Sequence, residues 1–248
     1  MRKKLDSPQA YTDRHAVLDI SLCCTLKAGL NISHNKLLAK LSAPDQALIA
    51  EACEFTQLRA GDVIGSPSST RNDVFFLLDA CVAMFVRPLD GGKGLALGLI
   101  GSDGAVGIQH AFGLGTGNLT LLVQAKGGAF RAEGAAIERI LKKKPEILMV
   151  FSRNLWAMYQ EVAFLAARMQ MHDIKSRLAG WIQLSSIRSA SLQLKLTQTY
   201  LADVLGVTRS SVTLAALELK QQGVISYSRG YLQILNVRDL QAAAHWKF

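Results

Sequence analysis

The chain has 248 residues, half of them hydrophobic, and its 28 lysines and arginines outnumber 19 aspartates and glutamates. A chain of this length forms one large domain or two small ones, and its apolar content excludes an intrinsically disordered protein and a disulfide-stapled miniprotein. No segment approaches the roughly 18 uncharged apolar residues of a membrane helix, and the basic start, Met1–Lys4, lacks the apolar run of a signal peptide. We therefore expect a cytoplasmic protein with no membrane partner.

The positive charge lies at the two ends of the chain. Residues 1–40 carry seven basic and three acidic side chains, and residues 171–248 carry nine and four. Residues 41–150 are nearly neutral, with ten basic and eleven acidic side chains. This distribution predicts a polyanionic partner for the ends of the chain and not for its middle.

The first part of the sequence predicts a β-rich domain behind a short extension. Residues 1–35 show no sustained period and are expected to form a loosely ordered extension. In residues 36–144, a helical pattern with a start at Pro44 is followed by short apolar runs that turn residues separate about every ten positions. The runs are 63–64, 74–78, 81–86, 95–100 and 119–125, and the turns include 90–92, 101–104 and 126–128. This spacing is typical of an antiparallel β-sandwich or β-roll, so the fold class is α+β.

A long helix is predicted over residues 145–171. No helix breaker follows Pro145, and apolar residues recur every three or four positions. The stripe consists of Ile147, Phe151, Leu155, Met158, Val162, Leu165 and Met169. It would either fold against the β domain or pair with a second copy of the chain. A helix of roughly 40 Å exceeds the span of a small sandwich, which favours the stripe as the seam of a homodimer.

Residues 172–248 predict a winged helix-turn-helix. The predicted elements begin with a helix over 174–184 and a polar break over 185–191. Two further helices follow and are joined at Gly206, with Ala202 four positions before this glycine and Thr208 placed to cap the second helix. Two apolar strands around Ser228–Gly230 then form a wing. An ordinary helical hairpin is the alternative, and the wing and the basic surplus argue against it.

The predicted contacts with double-stranded DNA divide into two groups. The first turn of the second helix would face base edges, and Arg209 can pair with guanine. The remaining residues would contact phosphates, which gives affinity without sequence information. The predicted DNA-binding residues are Gln198, Thr199, Thr208, Arg209, Ser210, Ser211, Thr213, Lys220, Ser228 and Arg229.

The sequence from about Leu37 to Leu240 resembles the CRP/FNR family of bacterial transcription regulators. The most specific motif is Leu196–Val212, and residues 58–62, 74–86 and 101–107 are similar to the sensor strands of that family. The resemblance implies a cyclic-nucleotide-binding-like β-roll and a homodimer on a palindromic operator, with RNA polymerase as a further partner if the protein activates. Well-known members carry glutamate at Ser210 and a basic residue at Leu214, so a different half-site is predicted.

The resemblance does not extend to a cofactor. Cyclic-nucleotide-binding members carry a glutamate and an arginine in a phosphate cassette, and Ile108–Val123 contains neither. Gly113, Gly115 and Gly117 either form an anion-binding nest or, more simply, a loop. The sequence thus argues against cyclic AMP and leaves the signal unidentified.

Metal centres are disfavoured for separate reasons. The sequence has four cysteines and no CxxC motif, namely Cys23, Cys24, Cys53 and Cys81. Their spacing is typical neither of iron–sulfur ligands nor of a disulfide framework. A haem bound by His110 or Cys81 is also disfavoured, because a histidine on such a loop is more often solvated.

Two other classes of function compete with DNA binding. No nucleophile–base pair, Walker loop or dinucleotide fingerprint occurs, so an enzyme is not expected. A sensor or interaction module whose DNA binding is secondary, or requires cyclic AMP, is the alternative, and the winged helix-turn-helix argues against it.

Overall fold

The computed structural model describes residues 31–86 and 94–245. Most of the predicted extension, Cys23, Cys24 and the predicted turn at 90–92 lie outside these residues. The extension was predicted to end at residue 35, but it ends earlier, because Asn35 is fully buried. Its side-chain amide donates to the carbonyl oxygens of Leu77 at 2.8 Å and Gly104 at 2.9 Å, which ties this segment to the β domain.

Two four-stranded antiparallel sheets form the β domain, behind two 3-10 turns at Ile32–His34 and Leu38–Lys40. Helix α1 spans Ala43–Glu51. The strands are β1 Glu54–Leu58, β2 Val63–Gly65, β3 Asp73–Leu77, β4 Cys81–Val86, β5 Leu95–Ile100, β6 Ala105–Val106, β7 Leu119–Ala125 and β8 Gly127–Glu133. The sheet orders are β1-β8-β3-β6 and β2-β7-β4-β5. Leu77, Val82 and Val123 belong to the core between the sheets, which confirms the predicted β architecture.

Gly127 and Gly128 lie in strand β8 and not in the predicted turn. A Cβ atom at Gly127 would clash with the backbone of Ala80. The backbone N–H of Gly128 donates to Asp79 Oδ1 at 2.6 Å. These glycines therefore permit a close approach of two chain segments. A pair of adjacent glycines in the sequence is equally typical of a turn, so the sequence alone does not distinguish the two.

Helix α2 spans Gly134–Lys143, and the long helix α3 spans Pro145–Met171, as its pattern predicted. The stripe on α3 packs inside the chain. Ile147 and Phe151 are fully buried in the core beside the β domain. Leu155, Met158 and Leu165 pack in turn against three hydrophobic clusters of the same chain, and Val162 and Met169 are half-buried. Ile147 and Phe151 are thus unavailable to a second copy of the chain, whereas the assignment of the other five side chains to a dimer seam stays a prediction.

The opposite side of α3 is exposed and apolar. We call it the outer face of α3 and define it by Met149, Trp156, Tyr159, Ala163, Phe164 and Met171, all of which are exposed. The rings of Trp156 and Tyr159 stack, with centroids 5.4 Å apart. Met149, Trp156 and Ala163 are seven residues apart, so they lie on one line along the helix.

The C-terminal part contains four helices and a three-stranded sheet. Its elements are α4 Ile174–Ser189, β9 Gln193–Lys195, α5 Gln198–Leu205, α6 Arg209–Gln221, β10 Ile225–Ser228, β11 Tyr231–Ile234 and α7 Val237–Ala243. Helix α4 extends through Ser185, where a polar break was predicted, because the Ser185 hydroxyl has a buried partner in the β domain. Strand β9, which pairs with β11, was not predicted.

The C-terminal part packs on the sheet that contains β4, β5 and β7. Phe85 and Leu99 of this sheet share one hydrophobic cluster with Trp181 of α4 and Leu201 of α5. Within the contact, the Gln124 side-chain oxygen accepts hydrogen bonds from Trp181 Nε1 at 3.1 Å and Tyr200 Oη at 2.7 Å. The Gln124 amide donates to Ser185 Oγ at 3.0 Å. These three partners of Gln124 all belong to the C-terminal part.

A second polar contact surrounds Arg188, near the end of α4. Its guanidinium forms ion pairs with Asp103, which follows β5, and with Glu161 of α3. Its Nε donates to the carbonyl oxygen of Leu99 at 3.0 Å. Because the Arg188 side chain is only 17% exposed, we expect this three-way contact to hold α4, α3 and β5 together.

Candidate nucleic-acid interface

The turn between α5 and α6 has the geometry that its sequence predicted. Thr197 caps α5 by accepting a hydrogen bond from the backbone N–H of Tyr200, and Gly206 ends the helix at φ +64°. This left-handed conformation suits glycine, which has no Cβ. Thr208 then caps α6 by accepting from the N–H of Ser211 at 3.2 Å. The inward side chains of α6 are buried, namely Val212, Ala215, Ala216 and Leu219.

The first turn of α6 faces solvent. Thr208, Arg209 and Ser210 are exposed and Ser211 is half-buried. The Thr208 hydroxyl lies 2.8 Å from the hydroxyls of both Ser210 and Ser211. These hydroxyls are thus engaged with Thr208. The positive charge of this turn comes from the Arg209 guanidinium.

The two predicted wing strands pair as β10 and β11. Ser228 lies opposite Tyr231, and the residues between them, Arg229 and Gly230, both have positive φ, at 49° and 83°. Two such residues form the hairpin turn that matches the twist of the strands. Arg229 is exposed at this tip. The sheet also carries Lys195, whose Nζ lies 6.0 Å from the centre of the Tyr231 ring.

Electrostatic contact links the wing to α6. Burial raises the pKa of the Tyr227 phenol, and the positive charge of Arg209 acts in the opposite direction. The Tyr227 hydroxyl donates to the carbonyl oxygen of Leu196 at 2.8 Å, which fixes this ring beside the start of α5. The charge of Arg209 therefore acts on a side chain of β10, the strand that leads to the wing tip.

The remaining predicted residues are less uniform. Thr199 is exposed and Gln198 is half-buried on α5. The Thr213 hydroxyl lies 3.1 Å from Gln198 Oε1 and 2.9 Å from the carbonyl oxygen of Arg209, and it donates its one hydrogen to either of these acceptors. Lys220 is exposed in the last turn of α6, about 16 Å along the helix axis from Arg209, so it lies apart from the first turn.

Two groups of residues on this surface were not predicted from the sequence. Lys195 was missed because β9 has only three residues and no clear alternation. Leu214 and Leu217 were not assigned to the interface because they are apolar, yet they are 63% and 48% exposed on α6. Their separation of three residues places them on one face of the helix.

The β domain has little internal space next to α3. A cavity of about 20 Å³ lies between β5 and α3, and its lining includes Met84, Asn154, Met158 and Arg188. This volume accommodates about one water molecule. Small-molecule pockets typically measure about 300–1,000 Å³.

The residues considered for haem are engaged within the chain. His110 was expected to be solvated, but it is buried. Its Nδ1 lies 2.9 Å from the carbonyl oxygen of Leu114 and its Nε2 lies 3.4 Å from Thr116 Oγ1. Burial raises the pKa of the Cys53 thiol to about 12 and that of Cys81 to about 11, which keeps both thiols protonated near neutral pH.

Within residues 31–86 and 94–245, no group of three or more His, Cys, Asp or Glu side chains is arranged to hold a metal ion. None of the helices in the same part of the chain combines the length and hydropathy that crossing a membrane requires.

Comparison with known proteins supports the helix-turn-helix and the fold. Residues 176–243 match the family model of the Crp-like helix-turn-helix domain. No curated protein sequence matches the chain significantly.

Solved structures of similar fold include three bacterial regulators. The c-di-GMP-responsive global regulator of Xanthomonas campestris is 15% identical with a TM-score of 0.65, over 79% of this chain and 100% of that one. A CRP-family transcriptional regulator of Thermus thermophilus is 17% identical with a TM-score of 0.65, over 77% and 97% of the two chains. A CRP/FNR-family regulator of the same organism is 23% identical with a TM-score of 0.62, over 79% and 100%.

The matched domain contains α5, the turn at Gly206, α6 and the wing, which is the part of the chain that exposes Arg209. The similar structures extend the likeness to the β domain and the long helix. Residues 176–243 are therefore a Crp-like helix-turn-helix domain, and the chain has the fold of the CRP/FNR family of transcriptional regulators.

Proposed function

We propose that this chain is a sequence-specific DNA-binding transcription regulator that acts as a homodimer in the cytoplasm. Its α6 helices would enter successive major grooves of a palindromic operator. The observation that carries this proposal is the exposed first turn of α6, with Arg209 beside a wing whose tip carries Arg229. RNA polymerase would be a further partner if the protein activates transcription.

Base recognition in this proposal depends mainly on Arg209. A guanidinium pairs with guanine through two hydrogen bonds in the major groove, which discriminates between bases by about 1–3 kcal/mol. Lys195, Lys220 and Arg229 are exposed cations on the same domain. They would contact phosphates, which adds affinity that falls with salt concentration.

Dimerisation in this proposal uses the outer face of α3. In the predicted stripe Ile147 and Phe151 are buried by the chain itself and the other five side chains are half-buried, whereas the opposite side of the same helix leaves Trp156 61% and Tyr159 63% exposed. Exposed aromatic side chains grouped in this way favour contact with another protein surface. Because Met149, Trp156 and Ala163 are spaced by seven residues, the face suits pairing with the same helix of a second copy.

In this proposal, a signal that acts on the β domain modulates DNA binding. The cavity between β5 and α3, of about 20 Å³, is too small for a cyclic nucleotide, whereas a separate open cavity of about 610 Å³, lined by Arg71, His110 and Arg131, falls within the size range of small-molecule pockets. The Gln124 and Arg188 contacts join the β domain to the DNA-binding part. A signal that alters the β domain would reach the DNA-binding part through these contacts.

Replacing Arg209 by alanine tests the proposed role of α6. We expect the affinity of the full chain for its selected duplex to fall about 30-fold or more, because a bidentate base contact worth about 1–3 kcal/mol is lost in each of the two half-sites. The measurement is fluorescence anisotropy with the palindrome that the wild-type chain enriches from random duplex DNA.

Arg139→Ala is the matched control, because Arg139 is an exposed arginine on α2 of the β domain. Its affinity should equal that of the wild type. Equal affinities of all three proteins, with Arg209→Ala still folded by circular dichroism, would contradict the assignment of α6 as the recognition helix.

A further inference from the structure

The most outward line of side chains on α6 contains two adjacent leucines. Ser210, Leu214, Leu217 and Gln221 lie three or four residues apart, opposite the buried side of the helix. Leu214 is 63% exposed and Leu217 is 48% exposed. An exposed leucine pair at the centre of a surface that would otherwise contact a polyanion requires an explanation.

The polar groups around this line are engaged inside the domain. Thr213 donates its hydroxyl hydrogen within the chain, with contacts to Gln198 Oε1 and the carbonyl oxygen of Arg209. The hydroxyls of Thr208, Ser210 and Ser211 contact one another. The side chain that follows Ser210 along this line is therefore an aliphatic one, that of Leu214.

We infer that Leu214 contacts the C5-methyl group of a thymine in each half-site and so determines base preference at that position. This inference rests on the proposed function, since it requires α6 in the major groove. The thymine methyl is the apolar group that base edges present in that groove. A leucine opposite cytosine would instead cover the N4 amino group without offering it an acceptor, which is unfavourable.

The position along the helix separates this contact from that of Arg209. Leu214 follows Arg209 by five residues, which is about 7.5 Å along the helix axis. Base pairs repeat every 3.4 Å or so along the duplex. Leu214 and Arg209 should therefore contact different base pairs, one to three steps apart.

The test removes the apolar group from each side of the contact in turn, namely the thymine methyl and the leucine side chain beyond Cβ. The full chain is first used to enrich a palindrome from random duplex DNA, and each conserved thymine of the half-site is then replaced by deoxyuridine, which lacks only the methyl. At one thymine, we expect the wild-type affinity to fall about fourfold per half-site, or about 15-fold when both are replaced. The Leu214→Ala variant should bind the thymine and deoxyuridine duplexes within twofold of each other.

A leucine outside α6 provides the control. Leu235 is 58% exposed after β11, and Leu235→Ala should retain the wild-type preference for thymine. If a palindrome is enriched but Leu214→Ala changes the effect of deoxyuridine at none of its thymines, the inference is overturned and the proposed function stays intact. The exposed leucines of α6 would then be available to contact a protein. Failure to enrich any sequence would overturn the proposed function, and this inference with it.

Discussion

The Ala163→Glu variant is expected to be a folded monomer with at least 100-fold lower affinity for the palindrome than the wild-type chain. Ala163 is exposed near the middle of α3, between Trp156 and Met171 on the outer face. A glutamate there meets water in the monomer but would be buried without a partner in a dimer, which costs several kcal/mol. Two linked half-sites enhance binding by about 10²–10⁴ over one, and a monomer loses this enhancement.

Sedimentation equilibrium measures the first effect, and titration of a full palindrome and an isolated half-site measures the second. The matched control is Ala135→Glu, an exposed alanine on α2, which should remain dimeric. Glutamate at Leu155 should behave differently, because Leu155 packs on the chain's own core, and unfolding is expected there. A dimeric Ala163→Glu protein would place the seam elsewhere, and a wild-type chain that is monomeric at all concentrations would refute the homodimer.

Replacing Arg188 by alanine is expected to lower the free energy of unfolding by about 3 kcal/mol. The change leaves Asp103 and Glu161 without their cation in a partly buried contact, and removing one member of a buried ion pair typically costs about 3–5 kcal/mol. The lower end applies because the Asp103 side chain keeps 39% of its exposure to water.

Chemical denaturation gives the overall change, and hydrogen exchange of the α4 amides shows whether the loss is local to the contact between the two parts. Lys142→Ala is a suitable comparison, because Lys142 is 73% exposed and pairs with Glu138 at i,i+4 on α2. That variant should lose about 0.5 kcal/mol or less. Losses of similar size in both variants would show that the Arg188 contact does not hold the parts together.

The local structure of the DNA-binding part was predictable because its signals are short-range. Caps at Thr197 and Thr208 and the positive φ of Gly206 depend on a few adjacent residues, so their residue types determine the turn. The hairpin at Arg229 and Gly230 follows for the same reason. By contrast, Gly127 was misassigned because only its approach to a distant segment, at Ala80, distinguishes a tight strand from a turn.

The bounds of α3 and its apolar stripe were predictable, but the neighbour that packs against the stripe was not. Its spacing of apolar residues gives a helix whichever neighbour covers the stripe. Trp156, Tyr159 and Phe164 on the opposite side were the available signal that a second apolar face exists. Choosing between the faces required the position of the β domain, which covers Ile147 and Phe151.

The contacts between the two parts could not be inferred from spacing. Gln124 and Tyr200 are 76 residues apart, and Arg188 and Asp103 are 85 apart. No periodic pattern relates such pairs, because they form only when separate elements pack. The same limit applies to Leu214, whose exposure depends on which side of α6 meets α5 and the wing.

Selection of random duplex DNA by the purified full chain, at about 0.1 M salt and without added nucleotide, tests the central claim most directly. We predict an enriched sequence with two-fold symmetry, whose half-site centres lie about 10 base pairs apart. No enriched sequence, an unpaired half-site, or enrichment only when cyclic AMP is added would contradict it.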